Sequence, residues 1–311
     1  MKRAILVAVS VLTLGILHFN GRAFSLEKSQ SGEIKTEMTE QTVCVMIDET
    51  LTEMKLEEYI ISVVAGEVYP QYNEEALKAQ AVAARTYLFY KMQGGGCVKG
   101  GDICTEAAHC QAYKSTEKMK TQWGSNFDQY YQRISDAVYE TAGEIITYDD
   151  KPICAMYHSS SVGNTEDCAT VFGGGKPYLV SVKTEISTEN SEYEKTVVFT
   201  KKEYLEKVNS AFDKNIKSTK IEILTRTSAG RADTVSLDGV HVKATALRKA
   251  LGLRSTDITV RNNDESVTFT MRGYGHGVGM SQVGAEEMAK SGKTYEEILT
   301  HYYQGTQLKK I

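Results

Sequence analysis

Proline is scarce in this chain: three residues, Pro70, Pro152 and Pro177, stand beside 25 glycines in 311 positions. Turns are therefore left mainly to Gly, Asn and Asp, and a proline-rich linker architecture is excluded. A basic excess is missing as well, since 36 Lys plus Arg face 40 Asp plus Glu, for a formal net charge of −4 and a pI near 6.0. Proteins that bind phosphate backbones normally carry a basic field over the domain, so a nucleic-acid partner is not expected. There is no internal repeat. What remains, 41% hydrophobic and 24% charged residues, is enough apolar material for one large core or two smaller ones, and it excludes disorder for most of the length.

The amino terminus reads Met1-Lys2-Arg3 and then an apolar stretch, residues 4–19, broken only by Ser10, Thr13, Gly15 and His18. It is short for a spanning helix of roughly 20 residues and long for the apolar part of a cleaved signal peptide, so both readings stand. The one small-x-small candidate that follows, Gly21-Arg22-Ala23-Phe24, is a poor cleavage site, which favours an uncleaved signal anchor with Lys2 and Arg3 on the cytoplasmic side. The expected organisation is then a cytoplasmic tip and anchor over residues 1–24, a polar juxtamembrane tether over 25–42, and a globular domain over 43–311, of which 187–270 is a candidate subdomain. Everything after the anchor lies outside the cytoplasmic membrane in this reading.

Within the globular part, residues 43–47 read as a buried strand and 56–64 as a helix. From 74 to 92 the residues Leu77, Ala81, Ala84 and Leu88 repeat on one face of a helix rich in small side chains, suited to close packing. A Gly- and Cys-rich loop spans 94–110, followed by a helix over 128–142. Residues 144–148 and 153–157 read as a strand pair turning at Asp149-Asp150, with further strands at 179–182, 196–200, 220–224 and 267–271 and helices at 201–212, 245–251, 282–290 and 295–303. This mixed order predicts an α+β fold, helices and antiparallel strands around one cleft, rather than an alternating parallel-sheet protein.

Chemistry concentrates in a few blocks. In Ala65-Gly66-Glu67-Val68-Tyr69-Pro70 a glutamate ends a helical segment among apolar neighbours. A lone glutamate there is ordinarily a solvated surface group. Val63, Val64, Val68 and Tyr69 would desolvate this one, and burial keeps a carboxyl protonated as a general acid. The glycines at 273, 275, 277 and 279 do not make a nucleotide cradle, because no Lys-Ser/Thr follows them. They fit a close backbone approach to a ligand or a tight fold over Glu67.

Read in order, the blocks Ala79-Gln80-Ala81-Val82-Ala83-Ala84-Arg85-Thr86-Tyr87, His109-Cys110-Gln111, Tyr157-His158-Ser159-Ser160-Ser161, Leu251-Gly252-Leu253-Arg254-Ser255-Thr256 and the long run from Arg272 to Ala285 closely resemble the stage II sporulation protein D family. The resemblance runs from about residue 43 to the end. It implies a membrane-anchored lytic transglycosylase that cuts peptidoglycan between N-acetylmuramic acid and N-acetylglucosamine during engulfment, leaves a 1,6-anhydro end, and prefers strands stripped of stem peptides. The family's single catalytic carboxylate matches Glu67. The implied setting is the space between mother-cell and forespore membranes, with a sporulation amidase or endopeptidase and a membrane scaffold as partners. Related proteins described as amidase enhancers share the motifs without necessarily cutting glycan; a non-catalytic wall-binding role is the alternative, and the retained Glu67 is the feature that speaks against it.

A hydrolase would need a second carboxylate at a defined separation. The nearest candidates are Glu166 and Asp167, more simply read as polar loop residues. Sugar-binding candidates from the matched blocks are Arg85, Gln111, His158, Ser159, Ser160, Tyr178, Tyr274, His276 and Gln282, with a structural role open for the two histidines and a buried ion pair open for Arg85.

Six cysteines stand at 44, 97, 104, 110, 154 and 168. An even count outside the cytoplasm ordinarily means disulfides. Yet Cys97, Cys104 and Cys110 fall in one glycine-rich loop, a density that points to a structural zinc with His109, His158 or water as fourth ligand. Adjacent His109 and Cys110 are not expected to share an ion, which selects Cys110. The resemblance supports zinc, since some relatives carry one in this loop; disulfide and free thiols stay open. The implied catalysis itself needs no metal or cofactor.

Overall fold

The computed structural model describes residues 18–19, 22–23 and 41–311, apart from 185, 189, 191 and 192. The expected anchor and tether therefore lie almost wholly outside the described residues; of that region only His18–Phe19 and Arg22–Ala23 are described, as a small antiparallel pair. No helix among the described residues is long and apolar enough to cross a membrane.

Strand β1 (Thr42–Ile47) turns at Asp48 and Glu49, both at positive φ, into antiparallel β2 (Thr50–Lys55). Two consecutive left-handed residues match the twist of a tight hairpin. A short β3 (Ile103–Cys104) runs parallel on the other edge of β1. Helix α1 (Leu56–Glu67) follows β2 directly and buries Tyr59, Ile60, Val63 and Val64.

Helix α2 (Glu74–Gln93) starts at Asn73, whose side chain accepts from Glu75 N. Its Leu77, Ala81, Ala84 and Leu88 enter one core, built with α1, α3 (Thr116–Trp123) and α4 (Phe127–Glu140). Ala76, Ala79, Val82 and Ala83 enter a second core, so the helix is apolar on two faces rather than the one the periodicity suggests. Alanines permit this because they let neighbours approach from both sides. The second core also takes β4 (Glu144–Tyr148), paired with β5 (Lys151–Pro152).

Beyond Pro152 the sequence pattern and the structure part. Residues 153–156 are irregular, and β6 (Tyr157–His158) pairs in parallel with β15 (Met280–Ser281) instead of completing a hairpin. Residues 179–182, expected as a strand, are not one; β7 (Gly163–Asn164) pairs with β8 (Lys183–Thr184) just after them, and α5 (Cys168–Phe172) intervenes.

A third core uses only side chains between Val197 and Met271. It holds a sheet of β9 (Glu194–Thr200), β14 (Ser266–Arg272) and β13 (Ile258–Asn262), and a second of β10 (Ile221–Arg226), β11 (Ala232–Leu237) and β12 (Val240–Lys243), covered by α6 (Lys201–Phe212) and α7 (Ala244–Leu251). Helices α8 (Gln282–Lys290) and α9 (Tyr295–Tyr302) return to the second core, and β16 (Gln307–Lys310) pairs with β4. The architecture is α+β with chiefly antiparallel pairing.

Candidate active site

Glu67 is the last residue of α1, and the chain turns extended at Val68, so the carboxyl projects where the helix stops. Its Oε1 accepts from Ala112 N at 2.7 Å and faces the Tyr157 hydroxyl at 3.4 Å; its Oε2 accepts from Gln282 Nε2 at 3.3 Å. Burial pushes the pKa of Glu67 above the ordinary carboxylate value of 4.5, opposed by these three hydrogen bonds. Gly66 makes the arrangement possible: a Cβ there would stand 3.0 Å from Tyr113 N and 3.1 Å from the Ala112 carbonyl carbon, pushing away the backbone that reaches Glu67.

Glu67 lies in an open groove of about 1050 Å³. Of the expected site residues, His158, Ser159, Tyr274 and Gln282 line it with Glu67. So do Tyr69, Tyr72, Trp123 and Tyr130, aromatic surfaces suited to sugar faces, together with Lys114 and Arg248. Glu67 is the one carboxylate among the lining residues.

Five expected binding residues take other places. Arg85 is wholly buried, its Nη2 2.6 Å from Glu57 Oε2, and it donates to the carbonyls of Val138 and Glu144; it ties α2 to α1, α4 and β4 and does not reach the groove. Gln111 is buried behind Tyr157, accepting the phenol at 2.7 Å and donating to the Tyr59 hydroxyl at 3.2 Å. Ser160 is buried in a backbone bridge to Tyr274. Tyr178 is a core residue whose oxygen accepts from Cys154 N. His276 packs between His158 and Phe172, and burial, with Arg248 and Arg231 nearby, lowers its pKa to about 4.

His158 has both ring nitrogens occupied. Nδ1 lies 3.1 Å from the Val278 carbonyl, which can only accept, so Nδ1 carries the proton; Nε2 then accepts from Ser161 Oγ at 2.6 Å. Ser161 Oγ in turn accepts from Arg231 Nη2 at 2.6 Å. Burial, with His276 and Arg231 nearby, holds His158 well below its ordinary 6.5, so it stays neutral. Glu166 is buried beside Arg231 at 3.8 Å, and Asp167 caps α5 through Ala169 N. Neither lines the groove.

Within the glycine run Gly275 lines the groove, whereas Gly277 and Gly279 fit the chain to itself. A Cβ on Gly277 would stand 2.8 Å from the Arg231 guanidinium carbon, and one on Gly279 would collide with the Met156 carbonyl.

In the cysteine loop, His109 joins Cys97, Cys104 and Cys110, which corrects the expectation that His109 and Cys110 exclude one another. The peptide nitrogens of both donate to Glu106 O, forming a turn that directs the two side chains to one point. His109 Nδ1 stands 3.5, 3.3 and 3.3 Å from the sulfurs of Cys97, Cys104 and Cys110, and the sulfurs of Cys97 and Cys110 are 3.9 Å apart. Tetrahedral zinc with bonds of about 2.3 Å to sulfur and about 2.0 Å to nitrogen needs edges of about 3.8 and 3.5 Å, so the donor set fits zinc. All six cysteines are unbridged.

Tyr157, Tyr72, Trp123 and Tyr130 were not singled out from sequence. Tyr157 stands beside His158 in a matched block, whereas Trp123 and Tyr130 come from helices with no motif.

A single buried carboxyl thus stands in an open groove lined by aromatic, amide and hydroxyl groups and by Lys114 and Arg248. Comparison with known proteins then fixes the family. The profile described as SpoIID, Stage II sporulation protein, matches residues 48–148. Over 263 residues the chain is 38% identical to Stage II sporulation protein D of Bacillus subtilis (strain 168), covering 84% of this chain and 76% of that protein. It is also 27% identical over 298 residues to the Amidase enhancer of the same organism, covering 79% of this chain but 39% of that protein. The chain belongs to the stage II sporulation protein D family.

Proposed function

We propose that this protein is a peptidoglycan lytic transglycosylase in which Glu67 alone handles the proton. The observation that carries this reading is the solitary carboxyl of the groove, its pKa raised by burial, within reach of Ala112, Gln282 and Tyr157. Protonated Glu67 gives its proton to the oxygen of the bond between N-acetylmuramic acid and N-acetylglucosamine, and that bond breaks. The Glu67 carboxylate then takes the proton of the muramic C6 hydroxyl as O6 closes on C1. The product is a 1,6-anhydro end; no water enters, and no second carboxylate is required.

Tyr157 supports both steps. Its one hydroxyl hydrogen is shared between Gln111 Oε1 at 2.7 Å and Glu67 Oε1 at 3.4 Å. As Glu67 loses its proton, rotation of that hydrogen stabilises the new carboxylate.

A zinc ion on Cys97, Cys104, His109 and Cys110 would be structural, with all four positions filled by protein and none left for substrate. The working place of the enzyme in this reading is outside the cytoplasm, tethered by residues 4–19, between the membranes of the engulfing cell, where an amidase or endopeptidase and a membrane scaffold act with it.

Mass spectrometry of products from glycan strands free of stem peptides tests the proposal. The expected product is lighter by one water than a reducing end. Reducing ends from the wild type would make it a muramidase, and no cleavage at all, with stimulation of an added amidase, would leave the enhancer role.

A further inference from the structure

Helix α2 buries two long polar side chains among its alanines, Gln80 and Arg85. Arg85 is accounted for by its ion pair with Glu57. Gln80 is not accounted for in that way. It is 1% exposed, does not line the groove, and uses its Oε1 to accept from Gln282 Nε2 at 3.4 Å. Its own Nε2 is buried and, among the described residues, has no partner. An unpaired buried amide destabilises a fold, and an apolar side chain of the same length would occupy the place without that cost. Stability alone therefore does not explain a glutamine at this position.

The partner of Gln80 is itself bound to Glu67. Gln282 is the first residue of α8, whose start is fixed by Ser281 Oγ accepting from Gly284 N and by Val283 N donating to Ser159 O. The Nε2 of Gln282 carries two hydrogens, and two acceptors stand within reach, Glu67 Oε2 at 3.3 Å and Gln80 Oε1 at 3.4 Å. Each hydrogen thus has its own oxygen. The bond to Gln80 turns the amide so that its other hydrogen falls on Glu67, and the three side chains join the end of α1 to α2 and α8.

The two oxygens of Glu67 are not equivalent. Oε1 accepts from Ala112 N at 2.7 Å and faces the Tyr157 hydroxyl at 3.4 Å, whereas Oε2 has the Gln282 amide. The carbonyl oxygen of a neutral carboxyl is a better acceptor than its hydroxyl oxygen, so the short bond from Ala112 places the proton on Oε2. When Oε2 gives that proton up, its bond from Gln282 becomes charge-assisted and strengthens, a gain made only as the reaction proceeds. We propose that Gln80 is a positioning residue, which acts through Gln282 to hold a donor on the oxygen of Glu67 that gives and retakes the proton. This rests on the acid–base role of Glu67 in the transglycosylase reading.

Full-length Gln80→Met, which keeps the length of the side chain and removes the acceptor, tests the role, with Gln80→Leu as a second variant of different shape. On peptide-free strands kcat should fall about tenfold at unchanged KM, while the melting temperature should hold or rise, because the unpaired Nε2 is removed as well. Added to Gln282→Met, either substitution should change kcat by less than about twofold, since its route to Glu67 is already gone. The Glu67 carboxyl carbon, followed by NMR in isotope-labelled protein without substrate, should titrate at higher pH in Gln80→Met and in Gln282→Met than in the wild type, because a donor that favours the anion is loosened. A fall in kcat that comes with a lower melting temperature or a changed KM, additive losses in the double variant, or an unmoved titration overturns the proposal. The titration needs no turnover. A moved titration in a protein that makes no 1,6-anhydro ends would sink the transglycosylase reading and leave the hold of Gln80 on Glu67 standing, whereas anhydro ends with kcat and titration unmoved would do the reverse.

Discussion

Ala112 donates its peptide N–H to Glu67 Oε1 at 2.7 Å, only two residues beyond Cys110 of the cysteine cluster. Gln111, which holds Tyr157, stands between them. The loop that gathers Cys97, Cys104, His109 and Cys110 therefore sets the position of two groups at the Glu67 carboxyl, although no metal takes part in the proposed chemistry.

Purified without chelator, the protein should contain about one zinc per chain, and thiol counting should find no disulfide among the three loop cysteines. Cys104→Ser, or metal removal, should lower kcat by roughly 10–100-fold, the range seen when groups supporting a site are lost, with a smaller change in KM. A metal-free protein with a Cys104–Cys110 disulfide would exclude the zinc site, and unchanged kcat after metal loss would separate the loop from Glu67.

Tyr157→Phe keeps the ring and removes the hydroxyl shared by Glu67 and Gln111. The expected result is a drop in kcat of about tenfold, corresponding to a charge-assisted hydrogen bond, at nearly constant KM. Steady-state kinetics on peptide-free strands checks it; a rise in KM alone would make Tyr157 a binding residue.

Glu57 and Arg85 form a buried pair, and removing one partner leaves the other charge unpaired. Arg85→Met should cost about 3–5 kcal/mol of stability. Denaturant unfolding measures the loss, and any protein that remains folded should bind peptide-free strands with wild-type affinity. A selective loss of glycan affinity at normal stability would return Arg85 to the binding residues.

Much of this was legible in the chain because local pattern and tertiary role agreed. The face of α2 carrying Leu77, Ala81, Ala84 and Leu88 and helices α6 and α8 follow from periodicity and are observed where the pattern puts them, while α1 runs three residues past the expected 56–64, to Glu67. Tyr157 and His158 are different: they form a two-residue strand whose partner, Met280–Ser281, is more than a hundred residues away, and no local rule specifies that pairing. Strands β11 and β12 meet at Asp238-Gly239, both at positive φ, a hairpin signal between the alternating stretches 234–237 and 240–243 that went unused. Site membership was harder still. Arg85, Gln111 and Tyr178 look like polar contacts in sequence, and only burial reveals that they support the core and Tyr157. His109 was set aside because neighbouring side chains usually diverge, which the turn on Glu106 O overcomes.

Acid should loosen the fold through His158 and His276. Their folded pKa values lie below 6.5, that of His276 at about 4, while the unfolded chain protonates near 6.5. The unfolded state then binds more protons as pH falls through 6.5, so stability declines on acidification and is fully present only above it. Thermal unfolding between pH 7 and pH 4 should show this decline, and His276→Gln, which retains an acceptor for Val278 N, should flatten part of it. An unchanged slope would mean that other groups carry the acid sensitivity.

Glu67 should act on stability with the opposite pH sign and on activity with the sign a general acid requires. Its carboxyl is raised above 4.5 in the folded protein, so between that value and the raised one the folded state holds a proton that the unfolded state has lost. Stability contributed by the neutral form is present at low pH and lost as pH rises through the folded value, which leaves a buried anion at alkaline pH. Glu67→Gln, neutral throughout, should therefore gain stability relative to wild type as pH is raised, while cleavage falls by 10²–10⁴-fold or more for want of a transferable proton. Wild-type kcat/KM should in turn decline above the same raised pKa, since only protonated Glu67 can begin the reaction. Unfolding curves for both proteins at acid and alkaline pH, set beside the wild-type pH–rate profile, give two independent measures of that pKa. Agreement between them identifies the proton on Glu67 as the one transferred, and an alkaline decline that persists in stability but not in rate would assign the proton to another group.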